Sequence, residues 1–283
     1  MLQMFNLIKM DIHRLLHSKS TWIMICFVIG LAVFSVTMTN SDIEFMKDDP
    51  AAVTETMEER PVGIYVEAQP EWVNGTIEIG SVVSVEMRSQ LLAILCVIFA
   101  AIFTNADYKN GYIKNIAGQF PRREQLVASK FIVIAFQVLV MVVVFTISIV
   151  VSGYVMWGSD FYLGSVTELF QYLGVQYLLH LGIAAVMMLL CILTYSTAFS
   201  MTSGILLCSG LAVPIYSLIN KAINGLKTGL EFDINKYILD GNITMLLYDS
   251  TSEVMVRGVA VGVAFAIVSL FISTIIVKKR DIR

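Results

Sequence analysis

LFQYLGVQYLLHLGIAAVMMLLCILTYSTAFSMTSGILLCSGLAVPIYSLIN, residues 169–220, runs for 52 positions without an Asp, Glu, Lys or Arg. An α-helix needs about 20 apolar residues to cross a hydrocarbon core about 30 Å thick. The run is therefore too long for one span, and its Ser- and Thr-rich middle at 194–203 predicts a tight turn between two. Outward from it, charge-free runs at 21–39, 89–106, 131–159 and 258–277 each fit one further span. The last closes on Lys278, Lys279 and Arg280 as a stop signal. The expected architecture is an all-α integral membrane protein with six transmembrane helices.

Composition agrees, because 57% of the 283 residues are hydrophobic and 14% are charged, against about 25% charged in a soluble globular chain. Short segments rich in Lys and Arg stay cytoplasmic. Lys9, Arg14 and Lys19 precede the first run. Lys109, Lys114, Arg122, Arg123 and Lys130 lie between the second and third, and Lys278, Lys279, Arg280 and Arg283 follow the sixth. These are 12 of the 19 basic residues. The segment 42–88 instead holds eleven acids against Lys47, Arg60 and Arg88. Both signals predict cytoplasmic N- and C-termini. Cys26, Cys96, Cys191 and Cys208 all fall in predicted spans, so no disulfide framework is read. The first apolar run begins at Thr21 with no small-x-small site after it, which favours an uncleaved span over a signal peptide. The net charge of −3 averages two differently charged faces and gives no reason to expect nucleic acid.

Three segments outside the spans carry pattern. In 1–19, Met4, Phe5, Ile8, Ile12, Leu15 and Leu16 share one helical face, while Asn6, His13, Arg14 and His17 oppose it. This predicts an N-terminal amphipathic helix lying in the inner headgroup layer. The segment 41–85 is broken by Pro50, Pro61, Pro70 and Asn74-Gly75, and is expected as a large acidic extracellular loop without a core of its own. Between spans two and three, 107–127 predicts a short helix around Ile113 and Ile116, ended by Gly118, and a new helix opening at Pro121 and Glu124. Pro214 is expected to kink span five. Asn74-Gly75-Thr76 and Asn242-Ile243-Thr244 match the glycosylation sequon in expected outer loops.

Enzymatic chemistry finds no foothold in the motifs. The chain has no G-x-x-x-x-G-K-[ST] phosphate loop, no H-E-x-x-H zinc pair and no G-x-S-x-G elbow. Catalytic, cofactor and metal residues are accordingly expected to be none. Ionisable groups at membrane depth are costly and point to function, and the spans hold few. His180, with Gln171, Gln176 and Tyr177, lines a polar path or bonds a neighbouring helix. Glu253 and Arg257 form an i,i+4 pair at the outer end of span six, structural or part of an outer gate. The expected substrate path is Gln176, His180, Pro214, Glu253 and Arg257. Gly182, Ala184, Ala185, Gly258, Gly262 and Ala266 are expected to let helices approach closely. No internal repeat supports the inverted halves of many secondary transporters.

The amphipathic helix at 1–19, the large first outer loop, and Asp107, Gly111, Ile113, Lys114, Pro121, Arg122 and Lys130 in the cytoplasmic segment together resemble the membrane permease subunit of a small six-span ATP-binding-cassette (ABC) exporter. Bacterial lantibiotic-immunity, peptide-export and drug-efflux permeases are of this kind. The resemblance covers essentially the whole chain, as a single transmembrane permease domain over 1–283. It implies two permease protomers, as homo- or heterodimer, and separate ATPase subunits that bind ATP and Mg. It also implies a bacterial plasma membrane location and export of an amphipathic peptide or hydrophobic drug. Carried onto this chain, it makes 112–117 the coupling helix, with Tyr112, Ile113, Lys114 and Ile116 docking on the ATPase and Arg122 and Arg123 orienting the contact. An ion-coupled secondary transporter and a non-transporting scaffold or sensor are the alternatives from other classes.

Overall fold

A computed structural model describes residues 2–48, 68–73, 75–109, 124–226 and 232–279. The described residues are helical almost throughout: α1 (Leu2–His17), α2 (Lys19–Asp48), α3 (Ile79–Arg88), α4 (Leu91–Lys109), α5 (Glu124–Trp157), α6 (Val166–Thr194), α7 (Thr197–Cys208), α8 (Val213–Leu226), α9 (Leu239–Met245) and α10 (Ser252–Lys279). Two-residue strands β1 (Ile77–Glu78) and β2 (Phe161–Tyr162) pair in parallel, Ile77 with Phe161 and Glu78 with Tyr162. Four helices, α2, α5, α6 and α10, are long and apolar enough to cross a membrane. The pairs α3–α4 and α7–α8, bent by 54° and 65°, raise the number to as many as six if each is one broken span.

The bends have local causes. At the first, Gln90 takes φ 62°, which only a short non-helical joint accommodates, and Ser89 Oγ donates to Glu86 O at 2.6 Å. Between α6 and α7, Tyr195 ends one helix in the left-handed region, and the Ser196 side chain caps the next by accepting from Phe199 N at 3.2 Å. This is the turn read from 194–203. The break after α7 falls at Gly210, φ 78°, rather than at Pro214. Pro214 sits in the first turn of α8, where its missing N–H costs nothing.

One buried core runs through the bundle, from Val28, Ala32 and Val36 of α2 to Met141, Phe145 and Ile149 of α5 and Leu179, Ala184 and Met188 of α6. The outward faces of α2, α5 and α10 carry Phe27, Phe34, Val151, Ile267 and Phe271 exposed. Apolar surface on that scale suits lipid rather than water.

Two expectations change. The segment 41–85 is not all loop: α2 runs on to Asp48, and Ile77, Ile79, Val82, Val83 and Val85 are buried. The alternation of small and branched apolar residues in α3 gives it a face to bury against α2, α5 and α6. In α1, Phe5 and Leu16 of the stripe expected to face lipid are exposed, while Leu7, Asp11 and Leu15 pack inward, with Asp11 Oδ2 accepting a hydrogen bond from Ser129 Oγ of α5 at 2.6 Å. Asn242 is buried and its Nδ2 donates to the carbonyls of Asn235, Lys236 and Ile238, so that sequon is closed in the folded chain.

Candidate functional site

Long-range contacts sort the helix ends into two groups. At one end α1 meets α5 through Asp11 and Ser129, and Lys130 Nζ of α5 donates to Phe103 O of α4 at 3.4 Å and lies over the Phe103 ring. Lys278 Nζ of α10 approaches Glu124 Oε2 at 4.0 Å. At the other end Trp157 Nε1 donates to Asn40 Oδ1 at 2.8 Å, Tyr248 OH donates to Ser165 O at 3.0 Å, and Arg88 Nε donates to Thr244 O at 2.6 Å.

The second end holds a buried polar layer. Tyr172, Gln176 and His180 recur at i, i+4 and i+8 on α6, one inward face. Tyr172 OH donates to Ser84 O at 3.4 Å and accepts from Gln176 Nε2 at 2.8 Å. His180 Nδ1 lies 2.7 Å from Gln176 O. A carbonyl only accepts, so Nδ1 carries the proton and Nε2 is an acceptor. That Nε2, Gln176 Oε1, Gln90 Oε1 and Glu86 Oε2 are buried without a hydrogen-bond partner among the described residues. Glu86 of α3 is fully buried, and its Oε1 accepts from Thr39 Oγ1 of α2 at 2.7 Å.

Next to this layer a cavity of about 120 Å³ opens among five elements. Its walls are Ile183, Val186 and Met187 of α6, Gly204, Leu207 and Cys208 of α7, Phe265 of α10, Ile238 and Leu239. Tyr216 of α8 and Asp240 of α9 supply its polar end, with Tyr216 OH donating to Asp240 Oδ2 at 3.1 Å. Burial raises the Asp240 pKa above the ordinary carboxylate value, partly offset by hydrogen bonds from Tyr216 and from the amides of Gly241 and Asp240. A clamp fastens α8 to the 232–234 segment: Asn224 pairs its amide with Phe232 N and O at 2.8 and 3.0 Å, and Asn220 Oδ1 accepts from Ile234 N at 2.8 Å. Gly241 is required there, because a Cβ would meet the Asn235 main chain.

The expected path residues divide. Gln176 and His180 are in the polar layer but do not line the cavity. Pro214 is exposed, two positions before Tyr216. Glu253 is exposed as well, and among the described residues it makes no ion pair with Arg257. Arg257 Nε instead donates to Asn242 Oδ1 at 3.4 Å. Tyr112, Ile113, Lys114, Ile116, Arg122 and Arg123 lie outside the described residues. Among the described residues no group of three His, Cys, Asp or Glu is placed to hold a metal.

Sequence reasoning missed Glu86, Tyr172, Tyr216 and Asp240. A signal existed for Asp240, an acid between the apolar pieces at 237–239 and 243–248. Glu86 likewise ends an apolar run. Both are ordinary loop acids unless their flanks are buried. Residues 64–283 match the model of a family described as a protein of unknown function, DUF2705, and the chain belongs to that family. No curated protein matches it.

Proposed function

We propose that this DUF2705 chain is the transmembrane subunit of an ATP-driven ABC-type exporter, one that moves an amphipathic or hydrophobic substrate while a separate ATPase subunit hydrolyses ATP with Mg. In this reading α2, α4, α5, α6, α7 with α8, and α10 cross the bilayer, six passages with both termini cytoplasmic. The α3 and α9 helices then lie in the outer half. The location is a plasma membrane, bacterial by resemblance, and a second permease protomer completes the path.

The observation that carries the reading is the separation of two ends. One end gathers α1, the flanks of the 107–123 connector and the basic terminus of α10. The other holds a buried polar layer, and the apolar cavity lies between the two ends, level with the middle of α6 and α10. A platform for a soluble motor belongs at the first end and a substrate in the cavity away from it. With Asp11 bonded to Ser129, a push on α1 or the connector reaches α5 directly.

Purification in mild detergent from the native host tests it. An ATPase bearing a phosphate loop should copurify, and substrate-stimulated ATP hydrolysis should need both chains. Replacing Ile113 and Ile116 together by Ala should weaken that association. A preparation that transports without any ATPase would overturn the reading.

One observation favours a second reading, an ion-coupled carrier. Glu86 is fully buried with one oxygen unpartnered, the kind of intramembrane carboxyl that proton relays use. Proton-driven flux in liposomes holding only this chain would select it.

A further inference from the structure

We propose that the cavity ending at Asp240 binds the ammonium-bearing end of a small amphipathic cation, with the hydrocarbon part of the ligand against the apolar walls. The inference rests on the exporter reading and names the class of cargo it takes.

Size comes first. An apolar cavity of about 150 Å³ admits one benzene molecule, so a cavity of about 120 Å³ takes one side-chain-sized group rather than a whole peptide or drug. Ile183, Met187, Leu207 and Phe265 offer that group hydrocarbon. Charge comes second. Asp240 is 9% exposed, and no Lys, Arg or His pairs with it among the described residues. A buried carboxylate lacking a counter-charge is unfavourable, and its ionised form is stabilised by any cation brought within hydrogen-bond reach. A carboxylate has about four acceptor positions. The Tyr216 hydroxyl and the amides of Asp240 and Gly241 occupy some of them, which leaves room for an ammonium donor. The same carboxylate repels anions and leaves neutral molecules without a partner, so the site selects by sign. Tyr216 positions the carboxylate, and the clamp of Asn220 and Asn224 on 232–234 holds Tyr216 and Asp240 together.

The test uses the full chain in phosphatidylcholine nanodiscs and tritiated butylammonium, with empty nanodiscs subtracted. Butanol, the same skeleton without charge, is the competitor. Saturable binding of about one ammonium per chain is expected, at least about tenfold tighter than the alcohol, as a charge-assisted hydrogen bond allows. Asp240→Asn keeps an oxygen for the Tyr216 hydroxyl and should remove that preference while alcohol binding stays within about twofold. Leu207→Trp fills the cavity with Asp240 intact and should abolish binding of both. Cys208 lines the same walls. Its modification by methyl methanethiosulfonate, read by mass spectrometry, should slow when the ammonium is bound.

Equal affinity for the two probes, no saturable binding, or unchanged binding in Leu207→Trp would overturn the proposal. Displacement of the probe by phosphatidylethanolamine at bilayer mole fractions would overturn it too, and would give the carboxylate to a lipid headgroup. None of these measurements involves an ATPase. A failed site and a failed exporter reading are therefore told apart, the first by binding and the second by copurification.

Discussion

Replacing Gly262 by Ala should wedge apart α6 and α10, which meet main chain to main chain there. A Cβ there would lie 2.7 Å from Leu178 O, 2.8 Å from Leu178 C and 3.0 Å from Leu179 N. All three are main-chain atoms that cannot swing aside. Ordinary contact begins at 3.4 Å, so α6 and α10 must part by about 0.7 Å. A gap of roughly 0.5–1 Å forfeits about a quarter to a half of the dispersion well at each atom pair it opens. Val175, Leu179 and Ala266 are buried along these facing helices and share the loss. Overpacking typically costs about 1–3 kcal/mol, and Ala returns about 0.5–1 kcal/mol of the helix penalty of Gly. The net loss should be about 0–2.5 kcal/mol, in contrast to the gain expected at an open position. Gly174→Ala is the control on α6, since a Cβ there meets nothing within 4 Å, and it should leave stability level or raise it by up to about 1 kcal/mol. Gly182→Ala should fall between, because its nearest obstacle, Leu239 Cδ2 at 2.7 Å, belongs to a side chain that can turn. Reversible unfolding in mixed micelles of rising dodecyl sulfate fraction measures all three. If Gly262→Ala proves as stable as Gly174→Ala, the two helices are not packed backbone to backbone and the reasoning fails.

The Asp240 pKa is raised in the folded chain by burial, so folding favours its protonated form. That contribution is present at low pH and lost as pH rises from the unfolded carboxylate value through the raised one. Asp240→Asn should therefore gain on the wild type over that window, and unfolding midpoints followed upward in pH from the ordinary carboxylate range should show the difference growing with pH. Thr39→Val removes the hydroxyl that Glu86 Oε1 accepts from at 2.7 Å. The stranded carboxyl should cost about 1–3 kcal/mol, while Glu86→Gln in the same background should recover part of it. For topology, single cysteines at Thr76, Tyr237 and Thr251, all exposed, should react with an impermeant maleimide from outside, and one at Lys279 only after permeabilisation. A cysteine at the buried Asn242 should stay unlabelled in the folded chain.

Much of the fold was legible because transfer from water to hydrocarbon is nearly additive along a helix. Long runs without charge name their own environment, and the break at 194–203 carries Ser and Thr, which cap and turn whatever surrounds them; the second break was expected at Pro214 and falls at Gly210. The site was less legible. Gln176 and His180 stood out as polar residues in an apolar run, and both proved buried. The cavity beside them was invisible, because its walls come from α6, α7, α10 and the 238–240 segment, which only packing brings together.

The sequence by itself determined that this is a helical, apolar chain with several lengths able to cross a bilayer, and which of its segments carry basic charge. These are properties of residues taken one stretch at a time. Only the tertiary structure decided that α3 folds into the core, that Glu86 and Asp240 leave water, and that α1 buries Asp11 alongside Leu7 and Leu15. A carboxylate's environment is set by what lies across from it, here Thr39 at 47 residues' separation, Tyr216 at 24 and Ser129 at 118. No local pattern records such distances.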